Sequence, residues 1–265
     1  NGSNPGWPAH EDRIAYAIVA DDSRPPRRHY SPALPVECLL EQGSGSLNED
    51  VLLQDDPMFG VFDGATSLNR ETFANGRTGG LLAAETAALA FRRNGASLLN
   101  LSERANHSIK KAMAERKVDL AEKKNLWSTS AAVVRLHDDY FEWCQIGDCL
   151  ILVLHHDGSY RLLADPPGQD VETLSLWKQM TPKTGECISE TLADHILKVR
   201  HGMNIHYGVF NGEQQAMNFV RSGREEQGGL DDLLGGENIG CVTKITECPF
   251  PELIVGIQVA ALGEG

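Results

Sequence analysis

The residues best suited to chemistry lie on either side of one predicted hairpin, within residues 41–67 (EQGSGSLNEDVLLQDDPMFGVFDGATS). Glu49 and Asp50 follow a Gly/Ser-rich turn, and Asp63 ends an apolar run over 58–62 that reads as a strand. Gly64 comes next, so the carboxylate is held rigidly at a strand end and the following carbonyl stays accessible. Asp55-Asp56-Pro57 is turn chemistry between that strand and a second run over 51–53. Such a hairpin brings Glu49, Asp50 and Asp63 into a small volume. Packed together without a cation, they would repel and raise one another's pKa values, so the pattern points to a divalent metal.

The elements that position these groups belong to an ordinary globular chain. The sequence has 265 residues, 41% apolar and 23% charged, enough for one large domain or two small ones. No apolar run approaches the roughly 18 residues of a membrane span, and residues 1–12 lack the basic and apolar regions of a signal peptide. Neither feature is therefore expected. A net charge of −13 argues against nucleic acid as a partner. A phosphorylated substrate remains compatible if metal cations supply local positive charge. Cys38, Cys144, Cys149, Cys187, Cys241 and Cys248 form no CxxC pair, which argues against zinc and for reduced thiols in the cytoplasm.

Along the chain, strands are predicted over 14–20 and 36–41, with a proline-rich loop between them. Residues 70–80 read as a loop or fraying helix start. Helices follow over 81–93 and from the Ser97 N-cap, the second with a stripe of Leu98, Leu101, Ala105, Ile109 and Ala112. From Ser128 the period changes to that of strands, over 129–136, 140–146, 150–155 and 160–163. The intervening turns HDD, GDC and HDGS suggest one antiparallel meander. Beyond Ala164 the expectations are helices over 171–180, 188–200 and 213–221, and strands over 205–210, 239–245 and 253–262. Residues 223–236 are polar and glycine-rich. Helices before a run of strands indicate an α+β fold, and neither a GxGxxG helix opening nor a GKS/GKT loop is present.

The order NED, FGVFDG, two helices, then STSAAVV and IGDCLILVL resembles the metal-dependent serine/threonine protein phosphatases of the 2C type, in their bacterial branch. The resemblance covers about 35–219 and is sharpest in its first half. It implies an α-β-β-α four-layer sandwich, two central antiparallel sheets flanked by helices. Residues 35–265 would form this phosphatase-like domain, and residues 1–34 an N-terminal extension able to add an edge strand. The resemblance also implies two Mn²⁺ or Mg²⁺ ions, with a third, weaker one. Asp63 would bridge the two ions, and the Gly64 carbonyl would complete one shell. Glu49 and Asp50 would serve the second ion, directly or through water, and Asp148 the third. Asp63 and Asp50 are accordingly the candidate catalytic residues.

The match departs from the family at named positions. Gly45 stands where members often carry a phosphate-holding arginine, and Ala65 where some carry histidine. The late SDG or TDG and D-N-x-T motifs are not intact. One alignment puts Asn211 and Glu237 at their aspartates. A second, preferred because Trp177, Asn204 and Tyr207-Gly208 fit it, places residues 207–220 ahead of the first motif. On both, the ligand set is incomplete, which weakens the second ion. Two readings result: dephosphorylation of phosphoserine and phosphothreonine in proteins by a metal-activated water, or a weak or inactive phosphatase-like module that binds a phosphoprotein or a kinase. A third reading is an unrelated acidic α+β protein.

Overall fold

Two strands, β1 (Arg13–Val19) and β2 (Val36–Leu39), precede the acidic hairpin. The hairpin forms where its turn residues place it: β3 (Val51–Asp55) pairs antiparallel with β4 (Met58–Gly64), Val51 opposite Phe62 and Asp55 opposite Met58. The Asp56–Pro57 bond at its tip is cis. The structure is a computed structural model that describes residues 13–19, 36–40, 47–65, 71–92, 95–137, 140–154, 159–165, 168, 171–184, 192–226 and 252–259.

Residues 71–78 hold one short 3-10 turn, Ala74–Gly76, and lead into α1 (Gly79–Phe91) and α2 (Leu98–Glu115). Thr78 caps α1 by accepting from the Leu81 N–H at 3.3 Å, and Ser97 caps α2 by accepting from the Asn100 N–H at 3.2 Å. Of the predicted α2 stripe, Leu98, Leu101, Ala105 and Ile109 are buried. The strands that follow are β5 (Thr129–Leu136), β6 (Tyr140–Ile146), β7 (Cys149–Leu154) and β8 (Tyr160–Leu162). Helices α3 (Val171–Thr184) and α4 (Ala193–His201) come next, then β9 (Arg221–Glu226) and β10 (Glu252–Val259).

The architecture is the α+β sandwich of the α-β-β-α class, built on two five-stranded sheets with strand orders β3-β4-β5-β6-β9 and β2-β1-β10-β7-β8. Alternation along the strands sorts the core into two layers. Met58, Phe62, Ala131, Val133, Cys144 and Ile146 pack against α1 and α2, where alanines at 83, 84, 87 and 88 allow close approach. Phe59, Val61, Ala132, Val134, Phe141 and Trp143 face the other way, onto Cys149, Ile151 and Val153 of the second sheet. The site is thus set at one end of a two-sheet core.

Several expectations need correction. Strands β5 to β8 are not one meander: β5 and β6 belong to one sheet, β7 and β8 to the other, and the Gly147–Asp148 turn carries the chain between them. Gly147 has φ +77°, which that turn requires and glycine adopts without strain. The expected strand over 205–210 is a turn. Asn204 takes φ +56° and its N–H donates to the Tyr207 carbonyl at 2.7 Å, closing the chain on itself. Residues 221–226, split between the end of the expected helix over 213–221 and the polar, glycine-rich stretch over 223–236, form an edge strand. β1, expected at an edge, lies between β2 and β10. The expected helix over 213–221 is a 3-10 helix, Gln214–Phe219. Residues 239–245 and Glu237 lie outside the described residues.

Candidate metal and phosphate site

Sheet register brings the predicted acidic residues to one end of the sandwich. Glu49 and Asp50 immediately precede β3, Asp63 and Gly64 end β4, Ser130 begins β5 opposite Asp63, and Asp148 turns between β6 and β7. Asp63 follows Val61 by two residues and Ser130 precedes Ala132 by two, so both share the face between the sheets.

Each acidic residue is fixed by its own local device. Glu49 and Asp50 are each only 8% exposed, and the Asp50 N–H donates to Asn48 Oδ1 at 2.9 Å. The Thr78 hydroxyl donates to Glu49 Oε1, tying this carboxylate to the N-terminus of α1, where the helix dipole favours negative charge. Glycines make that approach possible. A Cβ on Gly80 would lie 2.6 Å from the Ala65 carbonyl and 2.8 Å from Glu49 Oε1, and one on Gly64 would lie 2.6 Å from the Glu49 carbonyl. Asp148 accepts from the Ser130 hydroxyl at 2.6 Å.

Cys149 reports how these charges combine. Its thiol is fully buried, and burial first, then the charges of Asp63, Asp148 and Asp50, push it well above the ordinary thiol value. A hydrogen bond with the Asp63 backbone offsets this only in part. Among the described residues, however, no group of three or more His, Cys, Asp or Glu is arranged to enclose a metal ion. Glu49, Asp50, Asp63 and Asp148 share one end of the sandwich without forming a closed cage. The donor chemistry fits a hard divalent cation, since carboxylates and carbonyls are available while the one nearby thiol is buried and protonated.

Asn211 is engaged in a hydrogen-bond network of its own. It is fully buried, and its Oδ1 accepts from Asn204 Nδ2 at 2.7 Å and from the Glu213 N–H at 2.9 Å. Its Nδ2 donates to Glu213 Oε2 at 2.9 Å, and its own N–H donates to Asn106 Oδ1 at 3.1 Å. Lys123 pairs with Glu213 at 3.2 Å. Both ends of the Asn211 amide are occupied in locking this loop to α2, while Phe210 exchanges two 3.0 Å backbone hydrogen bonds with Thr129. These bonds give Asn211 a structural role that accounts for its burial without a metal.

Sequence reasoning missed Thr78 and Ser130. Thr78 was signalled by its place before Gly79-Gly80 and an apolar helical run, an N-cap pattern. Ser130 lay inside the STSAAVV stretch without a marked role.

The protein phosphatase 2C family matches this chain over residues 41–189, more than half its length. The chain belongs to that family, whose members are serine/threonine protein phosphatases and thus hydrolases. Among solved structures it is similar to the serine/threonine phosphatase PstP of Mycobacterium tuberculosis, with 14% identity, 81% of this chain and 74% of that one covered, and a TM-score of 0.42. The PstP catalytic domain in complex with two manganese ions gives 13% identity, coverage of 80% and 73%, and a TM-score of 0.42. Stp1 from Staphylococcus aureus gives 14% identity, coverage of 83% and 93%, and a TM-score of 0.46. No curated protein sequence matches. No helix among the described residues is long and apolar enough to cross a membrane.

Proposed function

We propose that this protein removes phosphate from phosphoserine and phosphothreonine in proteins with the help of Mn²⁺ or Mg²⁺ held at the acidic end of the sandwich. The observation that carries the proposal is the placement of the acidic residues by sheet register: Glu49 and Asp50 lead into β3 beside the end of β4, Asp63 at that end lies opposite Ser130, and the Ser130 hydroxyl donates to Asp148 at 2.6 Å. Asp63, at the end of β4, would hold metal with the Gly64 carbonyl beside it. Glu49 and Asp50 serve the second ion, and Asp148 a third. Glu237 remains the candidate to complete the set from the C-terminal segment. Divalent ions held there would supply Lewis-acid activation of a water and neutralise phosphate charge. The chain's own contribution is positional. Thr78 orients Glu49, Ser130 orients Asp148, and the two-sheet core excludes water behind Asp63. The free thiols of Cys38, Cys144 and Cys149 suit a reducing, cytoplasmic setting.

A second reading is a phosphatase-like module that binds a phosphoprotein or kinase with little turnover; it is favoured by Gly45, which stands where members of the family often carry a phosphate-holding arginine. Calorimetric titration with Mn²⁺, alongside turnover of an aryl phosphate, separates the two. Two binding sites, with metal-dependent turnover that Asp63→Asn abolishes, support the hydrolase. Binding without turnover supports the module. Absence of binding in ample Mn²⁺ rejects both.

A further inference from the structure

Beside the Gly147–Asp148 turn lies a cleft of about 150 Å³, lined by Gln145, Gly147, Gly208, Asn218, Phe219 and Arg221. It opens where β6 meets the edge strand β9, with Gln145 and Arg221 directly paired across the register. Three observations give it a chemistry. Gln145 is 3% exposed, yet its Oε1 has no hydrogen-bond partner among the described residues. An unmatched buried acceptor is costly, and a donor from outside would relieve it. Arg221 is exposed at the rim, and its Nη1 donates to the Asp165 carbonyl at 2.6 Å. That bond uses one of five guanidinium donors and holds the fork in place for an anion. A Cβ on Gly147 would strike Ser130 and one on Gly208 would strike Phe219, so the wall of the cleft there is bare main chain packed against these residues.

We propose that this cleft is a specificity subsite for the polypeptide flanking the phosphorylated residue: Gln145 Oε1 accepts a peptide N–H, and Arg221 takes an acidic side chain. The inference rests on the phosphatase reading given above and names the substrate class, phosphopeptides with acidic flanks. The subsite lies one residue from Asp148 in the chain, so a peptide seated in it continues toward the acidic cluster. On a chain of net charge −13, a fixed cation beside the site also gives an anionic peptide a favourable local contact.

The test is fluorescence anisotropy with labelled phosphothreonine peptides flanked by Asp or by Lys, in saturating Mn²⁺. Wild type is expected to bind the Asp-flanked peptide about tenfold more tightly. Arg221→Glu should invert that order and Arg221→Gln should erase it, so the conclusion does not hang on one variant folding. Gln145→Leu should weaken both peptides several-fold without changing their order. Equal binding of the two peptides by wild type, or a preference that survives in Arg221→Glu, overturns the proposal. Wild-type turnover of an aryl phosphate, which has no flanking residues to place in the cleft, tests the phosphatase reading separately. Loss of that turnover with the flank preference intact would reject the hydrolase and keep the subsite.

Discussion

The Ser130 hydroxyl donates to the Asp148 carboxylate across 2.6 Å, joining the turn between the two sheets to the strand partner of Asp63. One bond thus ties the turn that carries Asp148 to the sheet that carries Asp63. Ser130→Ala removes it, and a buried hydrogen bond to a charged acceptor contributes about 1.5–3 kcal/mol. Urea denaturation should show a loss of that order, and amides of the Gly147–Asp148 turn should exchange faster with solvent.

Gly80 offers a test in which two effects have opposite signs. At an exposed helix position, Gly→Ala stabilises by about 1 kcal/mol through helix propensity. Here the new methyl would meet the Ala65 carbonyl and Glu49 Oε1. Overpacking costs about 1–3 kcal/mol, so Gly80→Ala should destabilise the fold and weaken Mn²⁺ binding together. A more stable variant with unchanged metal affinity would show that Glu49 is not held in this way.

Asn211→Asp separates a structural amide from a lost metal ligand. A carboxylate at this position would face Glu213, to which the amide now donates. A buried, poorly compensated charge should lower stability by about 2–4 kcal/mol with no gain in Mn²⁺ affinity on calorimetry. Tighter metal binding would restore Asn211 as a ligand position.

Cys144 sets an alkaline limit on stability. Burial, the largest cause, pushes its thiol from 9.0 up to about 12, against a small lowering by the Ser102 hydroxyl. The folded state therefore keeps a proton that the unfolded chain loses above about pH 9. This contribution is complete below pH 9 and declines as pH rises toward 12, at about 1.4 kcal/mol per unit. Denaturation midpoints across that range should fall less steeply in Cys144→Ala than in wild type.

The acidic hairpin and its neighbouring helices were legible because their signals are local. Asp55-Asp56-Pro57 fixes the turn, and Ser97 caps its helix from within four residues. The passage between sheets was not legible, because Gly147-Asp148 has the same turn chemistry whether it closes a hairpin or crosses a sandwich. Residues 205–210 alternate like a strand, yet buried Asn204 and Asn211 draw the chain into a loop through contacts with α2 that no sequence window contains. β9 (RSGREE) is an edge strand whose charged side chains suit exposure and hide its pairing with β6. The resemblance to the family was carried by NED and FDG because those motifs are short and local.

The placement of β10 between β1 and β7 has a consequence for how the molecule is made. A nascent chain can complete the sheet that carries α1 and α2 once residue 226 has left the ribosome, since every strand of that sheet is then available. The other sheet must wait for Glu252–Val259 to emerge and fill the gap between strands begun at residues 13 and 149. Such distant pairings form slowly, so Asp148 should reach its final setting in the last stage of biogenesis.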